Sequence, residues 1–300
     1  MNRHETRSVV LLDGLKDVAN RYDVILCDVW GVVHNGIAAY EAASEALVRF
    51  RAKGGHVVLV SNAPRPGTAV GAQLDRLGVP RGAYEAIVTS GDLTRASVEE
   101  RIGQVLHHLG PPRDLPIFEG LPVRFGPVEQ ADYVVCSGFD ADDEGRESVE
   151  DYRPRLEAMR RRNLWMLCAN PDLVVERGDT LIPCAGAIAE VYEAMGGDVY
   201  YAGKPHRPVY EQAIATAARH AGRESFPAER VLAVGDAIRT DIAGAASFGI
   251  DSILVARGIH AEDLGLHLGP LVSQSVQDWV AMQDAQPQAV MEKLVWSGEA

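Results

Sequence analysis

The sequence predicts an α/β protein built on a parallel sheet, with a second α/β unit inserted in it. Three observations carry that expectation. Short apolar runs end on single polar residues: Val24-Ile25-Leu26-Cys27 runs into Asp28, Val57-Val58-Leu59-Val60 into Ser61-Asn62, and Val231-Leu232-Ala233-Val234 into Gly235-Asp236, with Asp241 shortly after. Apolar runs bounded by turn residues are the pattern of strands covered on both faces. Helical spacing alternates with these strands, as crossovers between parallel strands require. The middle third departs from that rhythm, starting where Pro111-Pro112 and Pro116 break it.

Taken in order, the strand ending at Asp28 is followed by a helix over Tyr40 to Lys53. Its Ala43, Ala46, Leu47 and Phe50 share one face, and Gly54-Gly55 closes it. The strand ending at Ser61 precedes a helix through Leu74 and Leu77 that stops near Gly78. Ala86 to Thr89 reads as another strand, followed by a helix through about Leu109, which places His107-His108 on a helix surface. Tyr133 to Cys136 and Leu164 to Cys168 read as strands, separated by an acidic turn (Asp140, Asp142, Asp143, Glu144) and a basic helix, Arg153 to Arg162. Val199 to Tyr201 leads into Gly203-Lys204-Pro205, and a helix covers Pro208 to Ala221. After the Asp236 strand come a helix following Thr240-Asp241, a strand Ile253 to Ala256, and a final fifteen residues that read as a weakly ordered or docked tail. The expected domains are 1–91 with 190–300 as the core, and 92–189 as an inserted α/β unit.

The formal net charge of −13 argues against a nucleic-acid backbone as partner. A compact anion remains compatible, because a metal and local positive charge dominate inside a cleft. No apolar stretch is long enough to span a bilayer. The N-terminus lacks a signal-type apolar region. The four cysteines show no CxxC pairing, and at least three lie in strand-like runs. Together these point to a cytoplasmic protein without membrane contact.

In open α/β sheets the ligand crevice lies beyond the carboxyl ends of the strands. Asp28, Ser61 and Asp236 are therefore expected around one small volume. A carboxylate such as Asp28 can attack phosphorus and divide one hard displacement into two. Asp28 and Asp236 are hard oxygen donors suited to Mg²⁺. Ser61, Asn62 and the backbone after Asp28, beginning at Trp30-Gly31, offer phosphate-binding donors, and Lys204 offers a point charge. Singly, each has a duller reading. A lone Asp after a strand is usually a turn or cap residue. Ser61-Asn62 can be an N-cap, Lys204 a solvated loop lysine, and Asp241 a helix cap. Their joint occurrence at strand ends favours the site.

These stretches resemble the haloacid dehalogenase superfamily of phosphohydrolases, and within it the NagD-like branch with a large cap. The likeness rests on DVWGVVHNG (Asp28 to Gly36), VLVSNAPR (Val58 to Arg65), the segment Cys168 to Gly197, YAGKPHRPVYEQA (Tyr201 to Ala213) and VGDAIRTDIAGA (Val234 to Ala245). The resemblance implies a Rossmann-like core with a cap inserted between the Ser61 and Lys204 segments. It implies Mg²⁺ held by Asp28, the Trp30 carbonyl, Asp236 and Asp241, a small phosphorylated metabolite as substrate, and often a homodimer through the cap. Asn170 to Gly186 resembles the family's substrate-recognition loop, with Asp172 and Arg177 as candidate specificity residues.

One position departs from the family. Its first motif reads Asp-x-Asp, the second Asp being the general acid/base, whereas here Trp30 follows Asp28 at that spacing. An indole neither protonates a leaving alkoxide nor activates water. General acid–base help is worth about 10²–10⁴-fold, so a slow phosphatase is one expectation. A phosphometabolite-binding sensor that turns over negligibly is the other. His34 is the nearest substitute base, although a loop histidine is the plainer reading; the same holds for His206 as a phosphate contact and for Cys184, which reads as a packed thiol. A receiver-type phosphoacceptor fits poorly, since such modules lack a cap-sized insertion. No strand is followed by G-x-G-x-x-G, which disfavours dehydrogenase chemistry.

Overall fold

Strands buried along almost their whole length form the middle of the main sheet. A computed structural model describes residues 9–141, 147–177 and 180–297. In chain order its strands are β1 (Val10–Leu12), β2 (Val24–Asp28), β3 (His56–Ser61), β4 (Ala86–Thr89), β5 (Val105–Leu109), β6 (Arg124–Phe125), β7 (Tyr133–Cys136), β8 (Trp165–Cys168), β9 (Val174–Arg177), β10 (Thr180–Pro183), β11 (Asp198–Tyr201), β12 (Val231–Gly235), β13 (Asp251–Val255) and β14 (Ala289–Met291). The α-helices are α1 (Glu41–Ala52), α2 (Gly67–Leu77), α3 (Ser90–Glu99), α4 (Val149–Arg161), α5 (Ala185–Ala194), α6 (Arg207–Ala221), α7 (Ala243–Phe248) and α8 (Ser273–Ala281). The chain divides into two compact units, one of Met1–Val60, Leu74–Ala86 and Tyr210–Ala300, the other of Ser61–Gln73 and Ile87–Val209.

In the first unit the strands run β1-β14-β13-β12-β2-β3, and every pairing among them is parallel. The strands β2 and β12 are buried at every residue, β3 at all but its first. Their sequences carry no alternation because both faces are covered. From β2 the chain leaves toward β3 on one side and returns to β12 on the other. That makes β2/β12 a topological switch point, where the crevice opens at the carboxyl ends. Val234 pairs with Cys27, so Gly235 lies level with Asp28 and Asp236 one step beyond. Beside them Leu254 and Val290 pack with Ile238, Ile242, Val276 and Val280.

The second unit holds its own sheet, β11-β8-β7-β5-β6, also parallel. Tyr152, Leu156, Met159, Ile188 and Tyr192 from α4 and α5 pack with Cys136, Met166 and Cys168. Val98, Ile117 and Phe118 pack with Leu106, Val135 and Leu167 in a separate cluster. The segments β9 and β10 form an antiparallel hairpin.

The structure corrects one expectation and decides between the two readings of the tail. The helix after β4 ends at Glu99, and Val105–Leu109 is a strand rather than the helix's continuation. Gly103, at φ +100°, sits in the left-handed region between them. His107 and His108 therefore lie in a sheet. His108 Nε2 meets Ser137 Oγ at 2.9 Å, and burial pushes its pKa down to about 4, so the ring is neutral at pH 7. The tail is docked: β14 pairs between β13 and β1, and Leu15 and Lys16 donate to the carbonyls of Val295 and Trp296. Asp198–Tyr201 pairs with β8 in the second unit. In the acidic turn, residues 142–144 lie outside the described residues, while Asp140 binds Arg155 at 2.8 Å.

Candidate active site

Asp28, Asp236 and Asp241 converge in the first unit. One carboxylate oxygen from each lies within 4.8 Å of the others, and all three residues are buried. Each arrives by a different local route. Asp28 is the last residue of β2. Asp236 follows the last residue of β12. Asp241 sits in a wide π-type turn, Ile238–Ile242, that opens α7. There Asp241 and Ile242 both donate to the Ala237 carbonyl, at 3.0 and 3.2 Å. Such turns are rare and cluster at functional sites. Tyr210 Oη faces the Thr240 and Asp241 carbonyls at 3.2 and 3.3 Å, satisfying what the turn leaves exposed. The helix-cap reading of Asp241 is thus replaced: its Oδ2 accepts from Ala237 N–H at 3.2 Å within the turn.

Glycines press against these acids. A Cβ on Gly31 would lie 2.0 Å from Asp236 Oδ2, one on Gly258 2.1 Å from the same oxygen, and one on Gly235 2.0 Å from Asp241 Cγ. Gly31 also has φ +80°, which L side chains rarely adopt. Ile259 N–H donates to Asp236 Oδ2 at 2.9 Å. Clustered, buried carboxylates repel one another, and a cation among them would offset that repulsion. The donor set is all hard oxygen, which fits Mg²⁺. Alanine at Gly258 should displace Asp236. Divalent-cation affinity should fall about 10–100-fold, the usual penalty for disturbing a ligand's support, as read by titration with Mn²⁺.

The loop after β2 folds onto itself. Gly31 N–H donates to the His34 carbonyl at 2.8 Å. Gly36 N–H donates to His34 Nδ1 at 2.9 Å, so this buried ring carries its proton on Nε2. The Trp30 indole meets the His34 ring edge-on at 5.0 Å and packs on Gly36, where a Cβ would come within 2.6 Å of it. The indole therefore braces the loop. The Nδ1 lone pair of His34 is thus engaged by the loop's own backbone.

In the second unit Asn62 gathers several expected site residues. Its Nδ2 donates to Asp172 Oδ1 at 2.9 Å and to the Lys204 carbonyl at 3.0 Å. Its Oδ1 accepts from Lys204 N–H at 2.8 Å and from Ser90 Oγ at 3.4 Å. Both amide donors and both lone pairs are thus occupied within the protein. Gly203 is required beside it, since a Cβ there would lie 2.0 Å from Ser90 Oγ. Asn62→Ala should destabilise the protein by about 2–3 kcal/mol by leaving buried groups unpaired, and Asn62→Asp more, by placing a carboxylate against Asp172. Urea unfolding of the variants checks both. Lys204 is 4% exposed, which excludes the solvated-loop reading. Ser61 Oγ accepts from Ala63 N–H at 3.1 Å. His206 stacks on Tyr201, ring centroids 5.1 Å apart, and burial lowers its pKa. Arg177 lies in β9 opposite Thr180; its side chain is outside the described residues. The four cysteines are buried free thiols, and burial raises Cys168 to about 12. Among the described residues no helix is long and apolar enough to cross a membrane.

Sequence reasoning missed Gly258, Ile259 and His260 beside Asp236, and Ser90 beside Asn62. The local trace of the first group is a glycine three residues past the end of β13, Ala256-Arg257-Gly258.

Comparison with known proteins places this arrangement. Residues 25–121 match the family model for haloacid dehalogenase-like hydrolases, and residues 201–292 match a second, HAD-hydrolase-like model. A haloacid dehalogenase-like hydrolase of Brucella suis is 44% identical, covers 95% of this chain and 100% of its own, and superposes with a TM-score of 0.83. D-glycerol 3-phosphate phosphatase of Mycobacterium tuberculosis is 28% identical over 82% of this chain. Dihydroxyacetone phosphatase of Corynebacterium glutamicum is 29% identical over 31% of it. The matches span 66% and 32% of those two enzymes' own lengths. A buried triad of carboxylates at the β2/β12 switch point, two matched segments and the 44%-identical relative lead to one assignment: the chain belongs to the haloacid dehalogenase-like hydrolase family.

Proposed function

We propose that the protein is a cytoplasmic Mg²⁺-dependent phosphatase acting on a small phosphorylated metabolite. The observation that carries this is the convergence of Asp28, Asp236 and Asp241 within 4.8 Å. Phosphatases of glycerol 3-phosphate and dihydroxyacetone phosphate among the relatives support the reaction class. Asp28, Asp236, Asp241 and the Trp30 carbonyl would hold Mg²⁺, which when bound neutralises charge on the phosphoryl oxygens.

The chain's own chemistry then runs in two steps. A carboxylate oxygen of Asp28 attacks phosphorus; the new O–P bond forms as the bond to the leaving oxygen breaks, giving an aspartyl-phosphate. Water attacks that phosphorus and gives up a proton to solvent, solvent protonates the leaving oxygen of the first step, and Asp28 leaves as carboxylate with inorganic phosphate. Lys204 contributes positive charge toward the phosphoryl group, and Ser61 and the Gly31 backbone contribute hydrogen bonds. Asn62 acts one layer back, as the support of the Lys204 backbone. The segment 92–189 with β11 forms the cap that selects the substrate, and Asp172 and Arg177 contribute to that choice. The Trp30 indole supplies no acid/base group at its own position, so turnover of poor leaving groups is slow.

The test is a panel assay with Mg²⁺ against phosphorylated metabolites and an activated aryl phosphate. Turnover that chelation removes supports the proposal. Metal-dependent anion binding with no turnover of any substrate would overturn it in favour of a sensor, the reading that Trp30 favours. Light scattering tests for a homodimer.

A further inference from the structure

Two backbone segments hold the acids of the triad, and one histidine ties them together. The first segment is Arg257–His260. Gly258 packs on Asp236, and Ile259 N–H donates to Asp236 Oδ2 at 2.9 Å. The second is Ala237–Ile238, which follows Asp236 and starts the turn that carries Asp241. His260 Nε2 accepts from Ile238 N–H at 3.3 Å. On its other side, Nδ1 meets Asp263 Oδ2 at 2.9 Å. A backbone N–H can only donate, so Nε2 supplies the lone pair and Nδ1 holds the proton, which Asp263 accepts. The ring leans on Trp279 at 4.9 Å. Its side chain is one-fifth exposed.

We propose that His260 is a positioning residue for the divalent cation, acting through Ile238 and Ile259 on Asp236 and Asp241. This rests on the reading of the triad as a metal centre. The physical logic is that of outer-shell support. Clustered carboxylates repel one another, and without fixed backbone donors they splay when no cation is bound. A ring that locks the two donor segments together keeps the ligand oxygens at binding distance. Free imidazole prefers its proton on Nε2; Asp263 selects the other tautomer here, and that choice makes the lock.

The test uses Mn²⁺ alone, with the free aquo-ion counted by electron paramagnetic resonance, on the full chain. His260→Phe keeps the aromatic contact with Trp279 and removes the acceptor; its Mn²⁺ dissociation constant should rise about 10–100-fold. His260→Gln places a carbonyl oxygen near the Nε2 position, and it should bind nearly as the parent does. Binding by His260→Phe equal to the parent, or by His260→Gln as weak as His260→Phe, overturns the proposal. Asp236→Asn separates the two levels. If it binds Mn²⁺ as the parent does, the metal reading itself falls, and the role of His260 with it. Should His260→Phe fail to fold, the parent still decides: two-bond ¹H–¹⁵N spectra should show His260 protonated at Nδ1, and an Nε2-protonated ring overturns the lock.

Discussion

Asp28→Asn is expected to abolish Mg²⁺-dependent release of phosphate, by roughly 10⁴–10⁶-fold or to background, as removal of a nucleophile does elsewhere. The size follows from two losses at one position: the attacking oxygen of the covalent step and one of the three carboxylates of the triad. The variant should nevertheless fold. Asn has the shape of Asp, and the site is a cluster of like charges in a buried place. Removing one charge relieves repulsion, so the metal-free variant should melt at or above the parent's temperature. Added Mg²⁺ should raise its melting temperature less than the parent's, because weaker binding to the native state shifts stability less. Thermal melts with and without Mg²⁺, beside the phosphate-release assay, check all three statements. Parent-like turnover in the variant would discard the aspartyl-phosphate route.

Trp30→Asp is expected to raise hydrolysis of alkyl phosphates by about 10²–10⁴-fold, the usual worth of a positioned proton donor. An activated aryl phosphate leaves without a proton, so its rate should change far less. The parent should therefore prefer aryl over alkyl phosphate strongly, and the variant weakly. The ratio of kcat/KM for the two substrates is the measurement, and an unchanged ratio would sink the account. The substitution carries a structural penalty. The indole rests on Gly36 and against the edge of His34, and losing that contact should lower stability by about 1–3 kcal/mol. Assays belong well below the variant's melting temperature for that reason.

The triad was legible because each of its members is announced by its neighbours. Asp28 and Asp236 follow apolar runs whose burial on both faces shows in the lack of alternation, and Asp241 lies five residues past Asp236 in the same segment. Strand formation at Val105–Leu109 was not legible. Leu106 and Leu109 are fully buried, but that three-residue spacing suits a helix equally well. Only pairing with β6 and β7 decides for the strand. Asn62 shows the same limit. Its partners, Asp172 and Lys204, lie 110 and 142 residues away, and no local pattern specifies that its amide serves them.

From the chain alone came the fold class, the ends of the strands that matter, and the residue types able to hold a cation and attack phosphorus. These depend on apolar patterning and turn chemistry, which act over a few neighbours. Tertiary structure decided the hydrogen-bond partner of each side chain, the glycines that leave room for the acids, the π-type turn around Asp241 and the ring of His260 spanning two loops. Those depend on distances between segments remote in the chain, and such distances exist only once the sheet has closed its register.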